Sequence, residues 1–241
     1  MIVRRLVEGF RKQDWFTVAV EFLVVVGGIF VALQVDDWNR ERQNRVEEAE
    51  ILERLADDLR YSIAETNRQI EWMARHAAQG KLILTVLDNC ELPEESKADF
   101  VNGLYHLGKI SPVYLVRGTF NELRSTGKQA IIESVEIRRE INSVIQQYED
   151  DRDTLLDIRG RLSPQINYVD SKVGFRISEP VGGTATLEFD DLVMDFDELC
   201  EDRRFYMAIA AATNYAWDEI ERNMRVIKSV ERLAAILERE L

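Results

Sequence analysis

Few side chains in this chain are of kinds that do chemistry, and they are widely spaced. There are two histidines, His76 and His106, and neither has a second ligand at metal-binding spacing. Each reads as a surface or edge residue. Asp36-Asp37, Asp57-Asp58, Glu149-Asp150-Asp151 and Asp190-Asp191 are acidic clusters. A calcium site needs alternating oxygen ligands around a sharp turn. Only the run EFDDLVMDFD (188–197) comes near that pattern, and a solvated acidic face explains it better. Val181-Gly182-Gly183-Thr184 is too short to cradle a phosphate, and no nucleophile is paired with a base. The sequence therefore predicts a protein that is not an enzyme, with no catalytic residue, no metal ligand and no cofactor.

Two other positions could matter. Glu21 is the one ionisable residue in the apolar run WFTVAVEFLVVVGGIFVALQV, Trp15–Val35. A carboxylate there would carry protons or pair with a partner's cation, or it would hydrogen-bond in neutral form to a neighbouring copy. Cys90 and Cys200 are the two cysteines, and they could pair as a disulfide in an oxidising compartment if the fold brings their Cα atoms within about 7 Å.

The elements that must position these residues follow from hydropathy. About 20 apolar residues at 1.5 Å each cross a hydrocarbon core of about 30 Å, so residues 15–35 read as one transmembrane helix. The run is longer than a signal-peptide core, and no small-residue cleavage site follows it. Thr17, Glu21, Val25, Gly28 and Ala32 recur at intervals of four and three, on one helix face. Gly28 and Ala32 form a small-x-x-x-small pair, which predicts a membrane helix interface with another copy or with a partner helix. Trp15 and Trp38 bracket the run as interfacial anchors, and Gln34 and Asn39 stand where amides can bond lipid phosphates or a neighbour's backbone.

Four basic residues precede the run within a short amphipathic tail (1–14), and Arg40, Arg42, Arg45 and Arg54 follow it. The denser N-terminal charges favour a cytoplasmic tail with the main domain, 36–241, outside. The whole chain has a net charge of −13. Residues 36–241 carry −14, from 27 basic and 41 acidic residues. Such a domain repels phosphate backbones, so no nucleic-acid partner is expected. The expected partners are the lipid bilayer and a homo-oligomer or partner membrane helix.

Beyond Asp36 the spacing predicts an unbroken helix to Gly80. Its seam is Arg45, Glu48, Leu52, Leu55, Leu59, Ser62, Thr66, Ile70, Met73 and Ala77. The seam is polar in its middle, at Ser62 and Thr66, which favours a bundle face over a plain coiled coil. Forty-odd residues would project it roughly 60 Å. Lys81–Leu87 either extends it or begins a turn, and Asp88–Ser96 reads as a loop. Helices are expected at 94–109, at 117–127 with Thr119 and Glu122 as a capping box and Gly127 as the stop, and at 135–162, ended by Pro164. Residues 165–194 read as an irregular excursion with a short hairpin (TATLEF, Thr184–Phe189), docked by Tyr168, Phe175 and Phe189. Asp195 and Glu198 offer a cap. A last long helix has its seam at Ile209, Thr213, Ala216, Ile220, Met224, Ile227, Val230, Ala234 and Leu237, and packs antiparallel to the first.

Two stretches carry a resemblance. VEFLVVVGGIFVALQVDDWNRER (Val20–Arg42) resembles the opening of a bacterial domain-of-unknown-function family of single-span membrane proteins, matching it at Gly28, Ile29, Ala32, Leu33, Gln34, Trp38 and Asn39. TFNELRSTGKQAIIESVEIRREI (Thr119–Ile141) resembles its second signature at Phe120, Leu123, Ser125, Thr126, Gly127 and Ile131 or Ile132. The resemblance implies a helical protein anchored in the bacterial inner membrane with a periplasmic domain. It brings no activity, ligand or catalytic residue.

The expectation is thus a mainly α fold, one N-terminal transmembrane helix continuous with an elongated helical bundle. The function expected is a membrane-anchored, non-catalytic, self-associating scaffold or interaction module. The alternatives are a sensor or regulator binding a ligand or protein through 165–194, and an accessory subunit of a membrane transport complex using Glu21.

Overall fold

A computed structural model of the chain describes residues 15–176 and 188–241, with side chains from residue 19 onward. The expected tail (1–14) and most of the expected hairpin lie outside the described residues. The chain divides into two units, Met1–Ile51 and Leu52–Leu241. It is mainly helical, with a long apolar helix near the N-terminus and one small two-stranded antiparallel sheet.

Helix α1, Trp15–Asn89, runs through the border without interruption. No proline occurs in it, and Gly27, Gly28 and Gly80 are tolerated within it. Lys81–Leu87 extends the helix. Cys90 then stops it with φ +49°, a left-handed stop of the kind usually given to glycine or asparagine.

Within Leu52–Leu241, α1 presents Leu52, Leu55, Ala56, Leu59, Met73, Ala77, Ile83 and Leu87 as one buried stripe. Helices α2 (Lys97–His106) and α3 (Gly118–Thr126) follow, joined by an extended segment. Two long helices complete the core, α4 (Val135–Lys172) and α6 (Arg203–Glu240), with short α5 (Phe196–Glu201) between them. Helix α6 runs antiparallel to α1: Tyr206 bonds Asp88, and Arg60 pairs with Glu238. It is antiparallel to α4 as well, since Glu140 meets Arg232, Gln147 meets Ser229 and Tyr168 meets Asp202. Residues 97–126 run back along α1, where Met73 meets Ser111 and Asp58 meets Thr119.

Three local expectations need correction. Helix α4 does not stop at Pro164 but continues to Lys172. The proline ring crowds the carbonyl four residues back, and that residue is Gly160, whose missing Cβ lets the backbone adjust. Burial of Leu162 and Val169 on either side holds the helix together. Second, Thr119 and Glu122 make no capping box. Arg117 stands at the N-cap position of α3, the Asp58 carboxylate of α1 bonds Thr119 instead, and Glu122 pairs with Arg54 and Lys128. Third, Glu188 and Phe189, the described end of the expected hairpin, lead into a 3-10 turn. The sheet is formed beside it by β1 (Gly174–Phe175) and β2 (Leu192–Val193), with Gly174 opposite Val193 and Phe175 opposite Leu192. Tyr168, Phe175 and Phe189 pack against a core cluster containing Phe100, Leu199 and Phe205.

Candidate functional site

The apolar part of α1 carries a run of exposed large apolar side chains. Phe22, Leu23, Val24, Val25, Phe30 and Val31 are each at least 60% exposed. The helix is long and apolar enough to cross a membrane, and among the described residues nothing covers its most apolar window. Glu21, Gly28, Ala32, Gln34, Trp38 and Asn39 are all exposed, and nothing lies within 4 Å of a Cβ placed on Gly27 or Gly28. Trp15 and Thr17 belong to α1, but their side chains lie outside the described ones. Among the described side chains, Glu21, Val25, Gly28, Ala32, Gln34, Trp38 and Asn39 are none of them buried against the rest of the chain.

Cys90 and Cys200 are brought together from the end of α1 and from α5. They form a disulfide, with Cα atoms 5.5 Å apart. It closes the end at which Asp195 caps α5 through the Glu198 amide and Asp202 caps α6 through the Arg204 and Phe205 amides. Tyr168 donates to Asp202 at 2.5 Å, and that bond, with the two amides and Lys172, holds the Asp202 carboxyl below the usual range.

A second cluster escaped the sequence reading. Asp151, in the sequence one member of the acidic cluster Glu149-Asp150-Asp151, is buried on α4. Facing it on α6 are Glu219 and Asn223, both fully buried and one turn apart. Arg222 contacts Glu219 through its guanidinium and places Nε 3.8 Å from Asp151 Oδ1. Burial is the main force raising both carboxyls above their ordinary values, and the arginine opposes it. Asn223 Nδ2 donates to the Ser111 carbonyl at 2.9 Å, and Arg159 donates to the Ile110 carbonyl at 3.1 Å. The cluster thereby fastens the segment after α2 to both long helices. It is a buried structural junction between α4, α6 and the segment after α2.

The two histidines are partly exposed, and the fold brings them together. His76 of α1 and His106 of α2 lie with ring centroids 4.1 Å apart, and Trp72 lies 4.1 Å from His76 and 5.3 Å from His106. Tyr105 meets the edge of His106, Phe175 meets Tyr105, and Lys109 Nζ stands 3.7 Å from the Tyr105 ring centre. Each imidazole Nδ1 faces the carbonyl four residues back, Trp72 at 2.6 Å and Asn102 at 2.9 Å. A carbonyl only accepts, so each Nδ1 carries a hydrogen and each neutral ring keeps its lone pair on Nε2. Partial burial pushes both rings below the ordinary histidine value, ahead of the opposing carbonyl bonds, and Lys109 adds to the lowering at both. The twenty-nine residues between the histidines carry no sign of this meeting. It depends on α2 folding back along α1.

Between α3 and α4 an open cleft of about 380 Å³ has Phe120, Leu123, Ile141 and Ile145 in its floor, with Arg124 and Glu149 on its rim. Among the described residues, no group of three or more histidine, cysteine or acidic side chains is arranged to hold a metal ion. Comparison of the chain with protein-family models, with curated proteins and with solved structures finds no match.

Proposed function

We propose that this chain is a membrane-anchored, non-catalytic scaffold or interaction module that associates with further copies of itself through its span. The observation that carries this reading is the run of exposed large apolar side chains between Val20 and Val35, on a helix whose most apolar window no described residue covers. Burying apolar surface is worth roughly 25 cal/mol per Å². Leaving the ten exposed large apolar side chains between Val20 and Val35 in water is therefore strongly unfavourable, and a bilayer removes that penalty.

The anchor leads into a helical bundle that stands outside the cytoplasm. The disulfide supports an oxidising compartment. The resemblance of residues 20–42 to single-span bacterial proteins agrees with an inner-membrane location. Self-association rests on the face with Glu21, Gly28 and Ala32, where two glycines leave the backbone open to close approach. Glu21 on that face reaches a hydrogen-bond partner in the neighbouring copy.

Cysteine crosslinking in native membranes tests this. Gly28→Cys is expected to yield a self-crosslinked dimer, while Phe30→Cys, on the opposite face of the helix, yields none. Equal crosslinking at both positions, or crosslinking of Gly28→Cys to a different protein only, contradicts self-association through this face.

A further inference from the structure

We propose that His76 and His106 form a proton-operated latch, which holds α2 and the turn after it against α1 while both rings are neutral and loosens when both take up a proton. The geometry carries the idea. The pair joins a residue of α1 to His106, the last residue of α2, two residues before Gly108, where the chain turns into the extended segment. That turn has little slack. Gly108 has φ +72°, and a Cβ there would come within 2.6 Å of Ile166 Cδ1. A change in the seating of His106 is therefore passed on to residues 109–117.

The charges around the pair set its direction. Arg75 acts on His76 from α1, and Lys109, from the segment after α2, acts on both rings. Trp72 and Tyr105 are the uncharged aromatic neighbours. A first proton is tolerated, because the Trp72 face attracts a cation. A second places two positive rings about 4 Å apart beside Lys109. Repulsion between unit charges at that separation, in a partly desolvated site, exceeds the attraction of one indole face. The two rings therefore titrate as a coupled pair.

The sign of the effect follows. Both rings are harder to protonate in the folded chain than in the unfolded one, so the unfolded state binds more protons as the pH falls below about 6.5. The stability the neutral pair supplies is complete above that value and is lost on acidification.

The full chain in lipid nanodiscs, labelled at histidine, gives a two-signal NMR titration because the chain has two histidines. Both signals should titrate below about 6.5, with the second proton at least tenfold harder to add than the first. His106→Gln should raise the midpoint of His76, and His76→Gln that of His106. Hydrogen exchange over residues 97–117 should quicken between pH 7 and pH 5 in the parent chain, and at least tenfold less in the His76→Gln, His106→Gln double variant. Independent titration of both rings at the ordinary value overturns the latch, and so does acid-induced exchange that persists undiminished in the double variant. The two single-variant titrations decide the matter if the double variant fails to fold.

Discussion

Thr66 of α1 grips both polar groups of Tyr114: its Oγ1 accepts from the Tyr114 amide at 3.1 Å and donates to the Tyr114 carbonyl at 3.2 Å. One turn earlier, Ser62 Oγ accepts from the Val116 amide at 3.0 Å while donating to the Asp58 carbonyl. One turn before that, the Asp58 carboxylate takes the Thr119 hydroxyl at 2.7 Å. Residues 58, 62 and 66 thus stand in one row along α1 and do for an extended segment what a neighbouring strand would do. Val113 and Leu115 point inward between them, with Tyr114 outward, in the alternation of a strand.

Thr66→Val keeps the shape of the side chain and removes the hydroxyl. It leaves the Tyr114 amide and carbonyl without their partner in a partly buried place, and should lower stability by about 1–3 kcal/mol. Chemical denaturation of the full chain in detergent measures this. A change below about 0.5 kcal/mol, the size of an ordinary surface substitution, would show that water satisfies both groups.

Arg222→Leu should be more damaging, by about 3–5 kcal/mol, because Glu219 would be left buried and charged without its partner. Adding Glu219→Gln should recover most of that loss. If the double variant is as unstable as the single one, packing of the arginine stem rather than its charge is responsible.

Asp151→Asn should change the pH dependence of stability more than stability itself. Asp151 is held above the ordinary carboxyl value, with burial the first cause. The folded chain keeps its proton when the unfolded chain has released it. Stability from this group is therefore greatest in acid and falls as the pH rises from ordinary carboxyl values through the raised one. Denaturation midpoints across that window should fall less steeply with pH in the variant, and identical slopes would contradict the assignment.

Reducing the Cys90–Cys200 bond frees a loop with a sequence separation of 110 residues. Loop entropy alone predicts a loss of about 4–5 kcal/mol, with typical values nearer 2–4. The parent chain should run faster on a non-reducing gel than a Cys90→Ser, Cys200→Ser variant, and should unfold at a higher temperature. Equal mobility, with both thiols open to alkylation, would contradict the bond.

How legible all this was in the sequence varied with the physical origin of each feature. The apolar stripe of α1 and most of the α6 seam follow from 3–4 spacing, since helical periodicity is local. Met224, counted inward, is 41% exposed, while Glu219 and Asn223 are buried nearby. Hydropathy ranks a methionine above a glutamate and cannot foresee that Arg222 and the Ser111 carbonyl make the polar pair tolerable. Ser62 and Thr66 were visible as polar positions in an apolar seam, but the segment they serve lies about fifty residues further on. The helix beyond Pro164 was missed because a proline was weighed without the glycine four residues before it. The meeting of His76 with His106 had no local signal at all.

The most direct test of the membrane reading is extraction of the full-length chain from membranes at alkaline pH without detergent. A span at residues 15–35 predicts that the protein stays with the membrane and is released only by detergent. Recovery as a water-soluble monomer would contradict it.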